Sequence, residues 1–369
     1  MEYALSTSPP SHTQRENPNV AKARRLVLAY GWNSTAFQIV NPGIERWFTR
    51  DAEAVVGYVT ANKVRVVAGS PVCEEERLAD VIDKFEANAA RAGERVCYFA
   101  AERRLESILS HEAGYSKVLI GAQPSWHPAF WPDTVASHKS LRAQLNRARN
   151  KDVRVKEWSI NDARNHPALQ ACLDDWLATK GLPPLHFMVE AATLSRLENR
   201  RVFVATQAEI VQGFVVLSPI SQRNGWLFEQ FPHCRTAPNG TVELMIDAAM
   251  RTLADENCDY ATLGLSPLSK RALSSADDQS LLIRMLFAWM RKHGSRFYNF
   301  EGLDRFKAKL RPERWEPVFA VSNEPRFSLT TLYAIAGAFS GDHPFRLLAG
   351  GIARAVSTEA RWLKRRIFG

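Results

Sequence analysis

The sequence predicts an α+β fold built from two similar units. In each half, several short runs rich in Val and aromatic residues precede alternating helical and strand-like segments. The chain has 369 residues, a length that usually needs more than one hydrophobic core. Its 46% hydrophobic and 24% charged residues are ordinary for a globular protein. These observations together favour two domains of one architecture.

The first unit is expected over residues 20–135. It follows a polar, Pro- and Ser-rich stretch, residues 1–19, which is interpreted as a flexible tail because it lacks the apolar core of a signal peptide. Strands are predicted at 36–40, 45–49, 54–60, 64–69, 96–101 and 116–122. Helices are predicted at 20–30, 78–93 and 105–112.

A basic interdomain helix is expected at 136–158, before a second unit over 159–325. Helices of this part are predicted at 138–150, 162–179, 189–198, 240–255 and 279–293. Strands are predicted at 201–207, 210–220, 225–231, 260–264 and near 297–300. The last segment, 326–369, is basic and amphipathic, which is typical of an element lying in a membrane interface; the alternative is a terminal helix packed on the body.

Charge and cysteine content narrow the functional classes. The formal net charge of +9 and the pI of about 9.4 favour anionic partners, such as nucleic acid or an anionic lipid surface. The five cysteines show neither a disulfide pattern nor zinc-ligand spacing, so buried thiols in a reducing cytoplasm are expected. No metal or cofactor is predicted. No run of about 18 apolar residues occurs, so no membrane-spanning helix is predicted.

The first candidate binding segment is the basic stretch at 137–158. Between 138 and 156 it holds seven cations and one acid, Asp152. Because Arg forks pair with phosphate oxygens, the stretch is predicted to bind anionic groups through Arg142, Arg147 and Arg149. The alternative is a solvated linker helix, although solvated faces usually mix charge signs.

A turn before a predicted helix is the second candidate. Asn239 and Gly240 form the turn, Thr241 is a candidate cap, and Glu243 lies in the first helical turn. Free backbone N–H groups at such a position are suited to hold an anion or a developing oxyanion. Glu229, on the strand upstream, is a candidate for positioning or deprotonating an attacking group. The alternative is an ordinary hairpin-to-helix junction.

Two further segments carry candidate residues. LGLSPL at 263–268 is neither a nucleotide-binding glycine motif nor a nucleophile elbow, so Ser266 is a candidate for substrate binding and not for covalent catalysis. Cations interleave with aromatic residues at 298–321, a pattern that suits a ligand with phosphates and bases. The cations are Arg305, Lys307, Lys309 and Arg311. The alternative is a strand-edge hairpin whose aromatic residues belong to the core.

Together, five segments resemble the C-terminal catalytic region of the phosphatidylglycerol lysyltransferases, also called multiple peptide resistance factors. They are GSPVC at 69–73, SLRAQLNRARNKDVRV at 140–155, APNGTVELMIDAAM at 237–250, TLGLSPL at 262–268 and FEGLDRFKAKLRPERWEPVFA at 300–320. They follow the family order, and the last is the most specific, because the family carries G-L-x-x-F-K-x-K-F-x-P-x-W-E-P there. The resemblance implies tandem GNAT-like acyltransferase domains, each a mostly antiparallel sheet flanked by helices.

The resemblance also implies roles for single residues. Glu229 falls where the family often has an acid. Lys307 and Lys309 fall on the two lysines of its F-K-x-K stretch, and Arg147 and Arg149 fall in its basic interdomain helix. The expected catalytic set therefore includes Glu229 and Lys307.

The chain departs from the family pattern at several points. Ser70 stands where the family often has Asp. Pro232 replaces an arginine, with Arg235 nearby as the candidate third catalytic residue. An inserted residue at Glu313–Arg314 lengthens the spacing between proline and tryptophan by one. The match also lacks the family's membrane-embedded flippase half, so the acceptor is left open.

The family takes aminoacyl-tRNA as donor and the glycerol hydroxyl of phosphatidylglycerol as acceptor. The resemblance therefore implies a cofactor-independent aminoacyltransferase at the cytoplasmic face of the cell membrane, linked to cationic peptide resistance. An anionic phospholipid and aminoacyl-tRNA are the expected partners. Two alternatives stay open: a Fem-like transferase acting on a peptidoglycan precursor, and a non-catalytic basic module that binds membrane or RNA.

Overall fold

The computed structural model describes residues 17–110, 112–179, 187–188, 193–272 and 299–340. Within these ranges, twelve strands form one mixed sheet. They are β1 (Glu45–Phe48), β2 (Val55–Ala61), β3 (Val64–Ala68), β4 (Arg95–Ala101), β5 (Ser116–Trp126), β6 (Arg154–Trp158), β7 (Arg201–Gln207), β8 (Ile210–Ile220), β9 (Gly225–Gln230), β10 (Tyr260–Thr262), β11 (Ser266–Pro267) and β12 (Arg314–Ser322).

Helices flank this sheet. They are α1 (Pro18–Tyr30), α2 (Leu78–Arg91), α3 (Arg103–Leu109), α4 (Trp131–Ser137), α5 (Lys139–Arg149), α6 (Ile160–Ala163), α7 (Pro167–Ala178), α8 (Thr241–Asp255), α9 (Phe300–Lys309) and α10 (Leu329–Ser340). Within the described ranges, no helix is both long and apolar enough to cross a bilayer.

The strand order shows the same motif twice. The order is β1-β2-β3-β4-β12-β5-β10-β9-β8-β7-β6, with β11 on β5. All neighbours are antiparallel except two pairs, β3 with β4 and β9 with β10. Each parallel pair is joined through one amphipathic helix, α2 or α8, that buries one face on the sheet. Each half therefore contains an antiparallel meander followed by a β-α-β unit, in an α+β fold.

Strand β12 joins the two halves. It comes from the predicted second unit, yet it lies between β4 and β5 of the first. Phe319 and Val321 pack with α2 and α3, whereas Val318 and Ala320 pack in the cluster that contains α1 and α10. A strand buried on both faces belongs in the interior of a sheet. The sheet is therefore continuous, and the proposed domain boundaries stay a prediction.

Several predicted elements differ from the structure. The basic interdomain helix expected at 136–158 is helical over the end of α4 and over α5, and its last part, Arg154–Trp158, is strand β6, which pairs with β7. The apolar run Ala36–Val40 is a buried 3-10 helix and not a strand, because a short apolar run has no period to distinguish the two. Residues 193–198 form turns, so this part of the predicted helix at 189–198 is wrong. The predicted strand near 297–300 is also wrong at its described end, where Asn299 caps α9 by accepting a hydrogen bond from Gly302 N–H at 2.8 Å. The helix predicted at 279–293 lies outside the described residues.

Candidate active site

Helix α8 begins directly against α5. Gly240, the residue before α8, has a left-handed backbone with φ of 95°. A Cβ at this position would lie 2.1 Å from the carbonyl oxygen of Gln144 in α5, a contact that only glycine avoids. Thr241 Oγ1 donates a hydrogen bond to the Pro238 carbonyl at 2.6 Å, while Asn239 is exposed. The turn therefore holds the start of α8 tightly on α5.

A buried carboxylate makes the second contact between these helices. Arg149 Nη2 lies 2.6 Å from Asp247 Oδ2, and Arg251 Nε lies 3.0 Å from Oδ1. Trp131 of α4 donates a hydrogen bond from Nε1 to the same Oδ1 at 2.9 Å. Because Asp247 is buried, these donors balance its charge. Arg149 therefore ties α5 to α8.

The other two candidate arginines of α5 differ in how firmly they are held. Arg142 donates to the carbonyls of Val135, at 3.3 Å, and Ala136, which lie at the end of α4. Arg147 is exposed, and its Nη1 donates a long hydrogen bond to Gln144 Oε1 at 3.5 Å. Arg147 is therefore the α5 arginine best placed to meet an external anion.

Helix α9 contacts the first turn of α8. Lys309 Nζ lies 2.8 Å from Glu243 Oε1. Glu243 is buried, and a carboxylate at this position also interacts favourably with the helix dipole. The ion pair joins two segments that sequence analysis had singled out separately.

Lys307, two residues earlier in α9, is 3% exposed. Its Nζ donates hydrogen bonds to the carbonyls of Gly264 and Leu265, at 2.8 and 2.9 Å. Burial lowers the pKa of Lys307 from 10.5 to about 7. A neutral amine has two N–H groups, and these two carbonyls satisfy both. The lone pair of the neutral amine is then left to accept a proton.

Ser266 follows directly after these carbonyls. It is fully buried, and it pairs with Ala122 of β5. Among the described residues its Oγ has no hydrogen-bond partner. A buried hydroxyl in this state costs about 1–3 kcal/mol, so a ligand that bonded Ser266 would recover that free energy.

Glu229 lies on the other face of the sheet from α8. Its neighbour Phe228 packs in the α8 cluster, and successive side chains of a strand point to opposite faces. Glu229 Oε1 lies 2.7 Å from Nε of Arg200, and both side chains are buried. Arg200 also donates to Asn41 Oδ1 at 3.1 Å and stacks on Phe37. The role of Glu229 as a base stays a prediction, but its carboxylate is held by a buried guanidinium.

Three other candidates have partners outside α8 or are exposed. Arg235 Nε pairs with Asp175 Oδ1 of α7 at 2.9 Å. Arg305 lies 3.5 Å from Glu301, and both side chains are exposed. Arg311 is exposed in the turn after α9, where its φ is 55°. Their predicted roles in binding or catalysis are not tested by these contacts.

A largely buried cluster that the sequence did not predict lies where the two halves meet. Arg223, at the tip of the β8–β9 hairpin, lies 3.1 Å from Glu102 and 2.8 Å from Glu316. Tyr260 donates a hydrogen bond to Glu316 at 2.8 Å, and its ring lies 3.4 Å from the Arg223 guanidinium. Burial raises the pKa of Glu102. Of these residues, Glu316 could have been found from the sequence, because it lies in the W-E-P stretch of the family motif. Arg223 and Glu102 belong to no local sequence pattern.

Residues 24–322 match the family model described as phosphatidylglycerol lysyltransferase, C-terminal. The chain belongs to this family. Phosphatidylglycerol lysyltransferases from Bacillus subtilis and Staphylococcus xylosus are each 23% identical to it, over 298 and 315 residues. These matches cover 78% and 82% of the chain but 33% and 35% of the relatives, so the chain spans about a third of their length.

Solved structures of the family have the same fold. L-PGS from Bacillus licheniformis aligns with a TM-score of 0.71 and 18% identity, covering 89% of this chain and 98% of that one. A C-terminal lysylphosphatidylglycerol synthetase domain from Agrobacterium fabrum aligns with a TM-score of 0.72 and 22% identity, covering 88% and 98%. The predicted α+β fold of tandem GNAT-like units is thereby confirmed. FemX aligns less closely, with a TM-score of 0.51 and 10% identity over 86% of this chain and 98% of that one.

No group of three or more His, Cys, Asp or Glu side chains in the described part of the chain is arranged to hold a metal ion.

Proposed function

We propose that this protein transfers an amino acid from aminoacyl-tRNA to the hydroxyl of a phospholipid such as phosphatidylglycerol. The observation that carries the proposal is the convergence of four family segments at the start of α8. Gly240 packs on α5, Lys309 pairs with Glu243, and Lys307 of the same helix binds the carbonyls at 264–265. Membership of the phosphatidylglycerol lysyltransferase family supports the phospholipid acceptor and the transfer of an amino acid.

Lys307 is proposed as the group that moves the proton. The acceptor hydroxyl oxygen bonds to the ester carbonyl carbon, and the bond from that carbon to the ribose oxygen breaks. Neutral Lys307 takes the proton from the hydroxyl and returns it to the ribose oxygen. Two observations support this role: the amine is buried with both N–H groups on the carbonyls of Gly264 and Leu265, and its pKa of about 7 leaves a large neutral fraction near neutral pH. One ester is exchanged for another, so the reaction needs no ATP.

The start of α8 is proposed to stabilise the negative charge that forms on the ester oxygen. The N–H of Thr241 donates to the Pro238 carbonyl at 3.1 Å, so the next N–H groups of α8, those of Val242 and Glu243, are proposed for this role; the close contact with α5 keeps them in place. Ser266 Oγ is proposed to bond the aminoacyl group. Glu229, which Arg200 holds on the opposite face of the sheet, is given no step at the start of α8.

The cationic surface is proposed to hold the phosphates of both substrates. Arg147 and Lys151 are exposed near the end of α5, and Arg305 and Arg311 are exposed around α9. An anionic membrane attracts such groups by about 1 kcal/mol per cation, which favours a peripheral position at the inner membrane face. Of the basic C-terminal segment, residues 341–369 lie outside the described residues.

The proposal is tested by incubating the full chain with charged tRNAs and two acceptors, phosphatidylglycerol vesicles and a lipid-linked peptidoglycan precursor. Aminoacyl-lipid is the expected product, at a rate that rises with pH through about 7. Lys307→Met should lower that rate by about 100-fold or more, because a general base contributes at least this much. The matched control Lys84→Met, at an exposed position on α2 away from the proposed site, should change it little.

The outcomes separate the alternatives. Product on the precursor alone would identify a Fem-like transferase. Binding of tRNA or vesicles without any product would identify a non-catalytic module. A Lys307→Met chain with full activity would remove Lys307 from the catalytic set.

A further inference from the structure

One buried carboxylate holds two guanidinium groups side by side. Arg149, the last residue of α5, and Arg251 of α8 bind different oxygens of the Asp247 carboxylate, at 2.6 and 3.0 Å. Asp247 is buried, and the indole N–H of Trp131 fixes its Oδ1 from the third side at 2.9 Å. Because both arginines are attached to the same carboxyl group, their guanidinium groups lie close together and in fixed positions.

Most hydrogen-bond donors of the two arginines are unused. The side chain of Arg149 is 45% exposed and that of Arg251 is 43% exposed. A guanidinium has five N–H donors, but within the described residues each of these two makes one hydrogen bond, to Asp247. In the same part of the chain no second carboxylate lies within ion-pair distance of either arginine. Two cations against one anion therefore leave an excess of positive charge, with donors available to an external acceptor.

A phosphate group is the acceptor that suits this pair, because its oxygens can accept from two guanidinium forks at once. The surroundings favour RNA as the source of the phosphate. Arg147 and Lys151 are exposed at the same end of α5, so the positive charge continues along the helix. Phe130, which directly precedes Trp131, is 54% exposed, and its ring lies 5.0 Å from that of His127. Exposed rings near cations are typical of surfaces that stack bases while they bind the strand. Because the two guanidinium groups are about half-buried, a phosphate that projects from a strand reaches them more readily than a flat bilayer surface does.

We propose that Arg149 and Arg251 form a binding site for a phosphate group of an RNA strand, with Asp247 as the residue that positions them. The carboxylate fixes both side chains before the ligand arrives, which lowers the entropy cost of binding. Asp247 lies about two turns after Gly240 in α8, so the strand bound here lies along the helix whose start is proposed to stabilise the reacting ester. This assignment rests on the proposed function, in which the RNA is aminoacyl-tRNA.

The test measures binding of uncharged tRNA to the full chain by filter binding at several salt concentrations. Arg251→Gln removes one cation, while its amide can still donate to Asp247, so the fold is expected to be kept. Binding should weaken about tenfold or more, because a hydrogen bond to a charged group is lost. The slope of the logarithm of the binding constant against that of salt concentration should become shallower by about one unit or less. The matched control Arg91→Gln removes an exposed arginine of α2 in the other half and should change neither quantity.

Asp247→Asn distinguishes a positioned site from general attraction by positive charge. The substitution adds one positive charge to the protein, so general attraction would tighten tRNA binding. A positioned site should instead bind about tenfold more weakly, because a neutral amide no longer holds Arg149 in place. Thermal unfolding shows whether this variant folds, and if it does not, Arg251→Gln decides alone.

The outcomes separate this site from the proposed function. Unchanged tRNA binding in Arg251→Gln, or tighter binding in a folded Asp247→Asn chain, overturns the proposal. If Arg251→Gln weakens binding to phosphatidylglycerol vesicles and not to tRNA, RNA is the wrong ligand and the proposal is likewise overturned. Binding of tRNA that depends on Arg251, in a chain that transfers no amino acid, supports the site and contradicts only the proposed function.

Discussion

Lys309 and Glu243 form an ion pair between α9 and the first turn of α8, with Nζ and Oε1 2.8 Å apart. The two residues are 66 positions apart in the sequence, and Glu243 is buried. A buried carboxylate is stable only with a partner, so the pair fixes the position of α9 on α8. Lys307, in the same helix, is placed by the same packing.

Replacing Lys309 by Ala should lower the free energy of unfolding by about 1–3 kcal/mol, because buried Glu243 loses its cation. Urea denaturation measures this change. The double variant with Glu243→Ala should lose less than the sum of the two single variants. Arg305→Ala removes an exposed pair and should change the free energy by less than about 0.5 kcal/mol. If Lys309→Ala and Arg305→Ala lower the free energy of unfolding equally, this assignment is contradicted.

Stability should depend on the protonation of Lys307. Its pKa of about 7 in the folded chain is below its unfolded value. Between about pH 7 and pH 10 the unfolded chain therefore binds a proton that the folded chain does not, so the free energy of unfolding rises with pH. Lys307→Met should lose this contribution, and Lys151→Met should keep it. Urea denaturation across this pH range checks the prediction; identical slopes in all three chains would refute it.

Gly240→Ala should destabilise the chain by more than about 2 kcal/mol and slow transfer. The new Cβ meets the Gln144 carbonyl and also occupies a positive-φ backbone. Gly43→Ala is the matched control, since Gly43 has φ of 75° but nothing within 4 Å of an added Cβ. Only the backbone cost, about 1 kcal/mol, applies at Gly43. Thermal unfolding of the two variants separates close contact from backbone strain.

Arg223→Met should lower the free energy of unfolding by about 3–5 kcal/mol, because Glu102 and Glu316 then share a buried site without their cation. Adding Glu102→Gln should restore part of the loss. Lys84→Met breaks an exposed pair with Asp80 and should cost less than about 0.5 kcal/mol. Chemical denaturation measures all three, and a neutral Arg223→Met would show that the cluster does not join the halves.

The double variant Arg147→Ala, Lys151→Ala should weaken tRNA binding. The slope of the logarithm of the binding constant against the logarithm of salt concentration should become shallower by about two units or less. The reason is that each exposed cation releases about one counterion from a phosphate. Lys84→Ala, on α2, should leave binding unchanged. Filter binding at several salt concentrations gives the slopes. An unchanged slope would place the tRNA elsewhere.

The sequence predicted helices correctly where the pattern lay in the spacing of nearby residues. The helix predicted at 78–93 is observed as Leu78–Arg91, because its apolar residues recur at helical spacing. Those at 138–150 and 240–255 are observed as α5 and α8. Ala36–Val40 had no such period, so its type depended on the surrounding packing.

The partners of charged residues were not predictable in the same way. Glu229 was singled out by its place on a strand, but its pairing with Arg200 depends on the packing of a distant loop.

Spacing over a few residues was thus enough to establish the α+β class, the turn before α8 and the family segments. Packing over long sequence distances decided the rest: β12 lies between β4 and β5, and Lys307 is buried against the carbonyls of Gly264 and Leu265. The physical reason is that secondary structure follows local periodicity. Strand order, burial and ion pairing follow from which surfaces exclude water together, and those surfaces come from segments far apart in the chain.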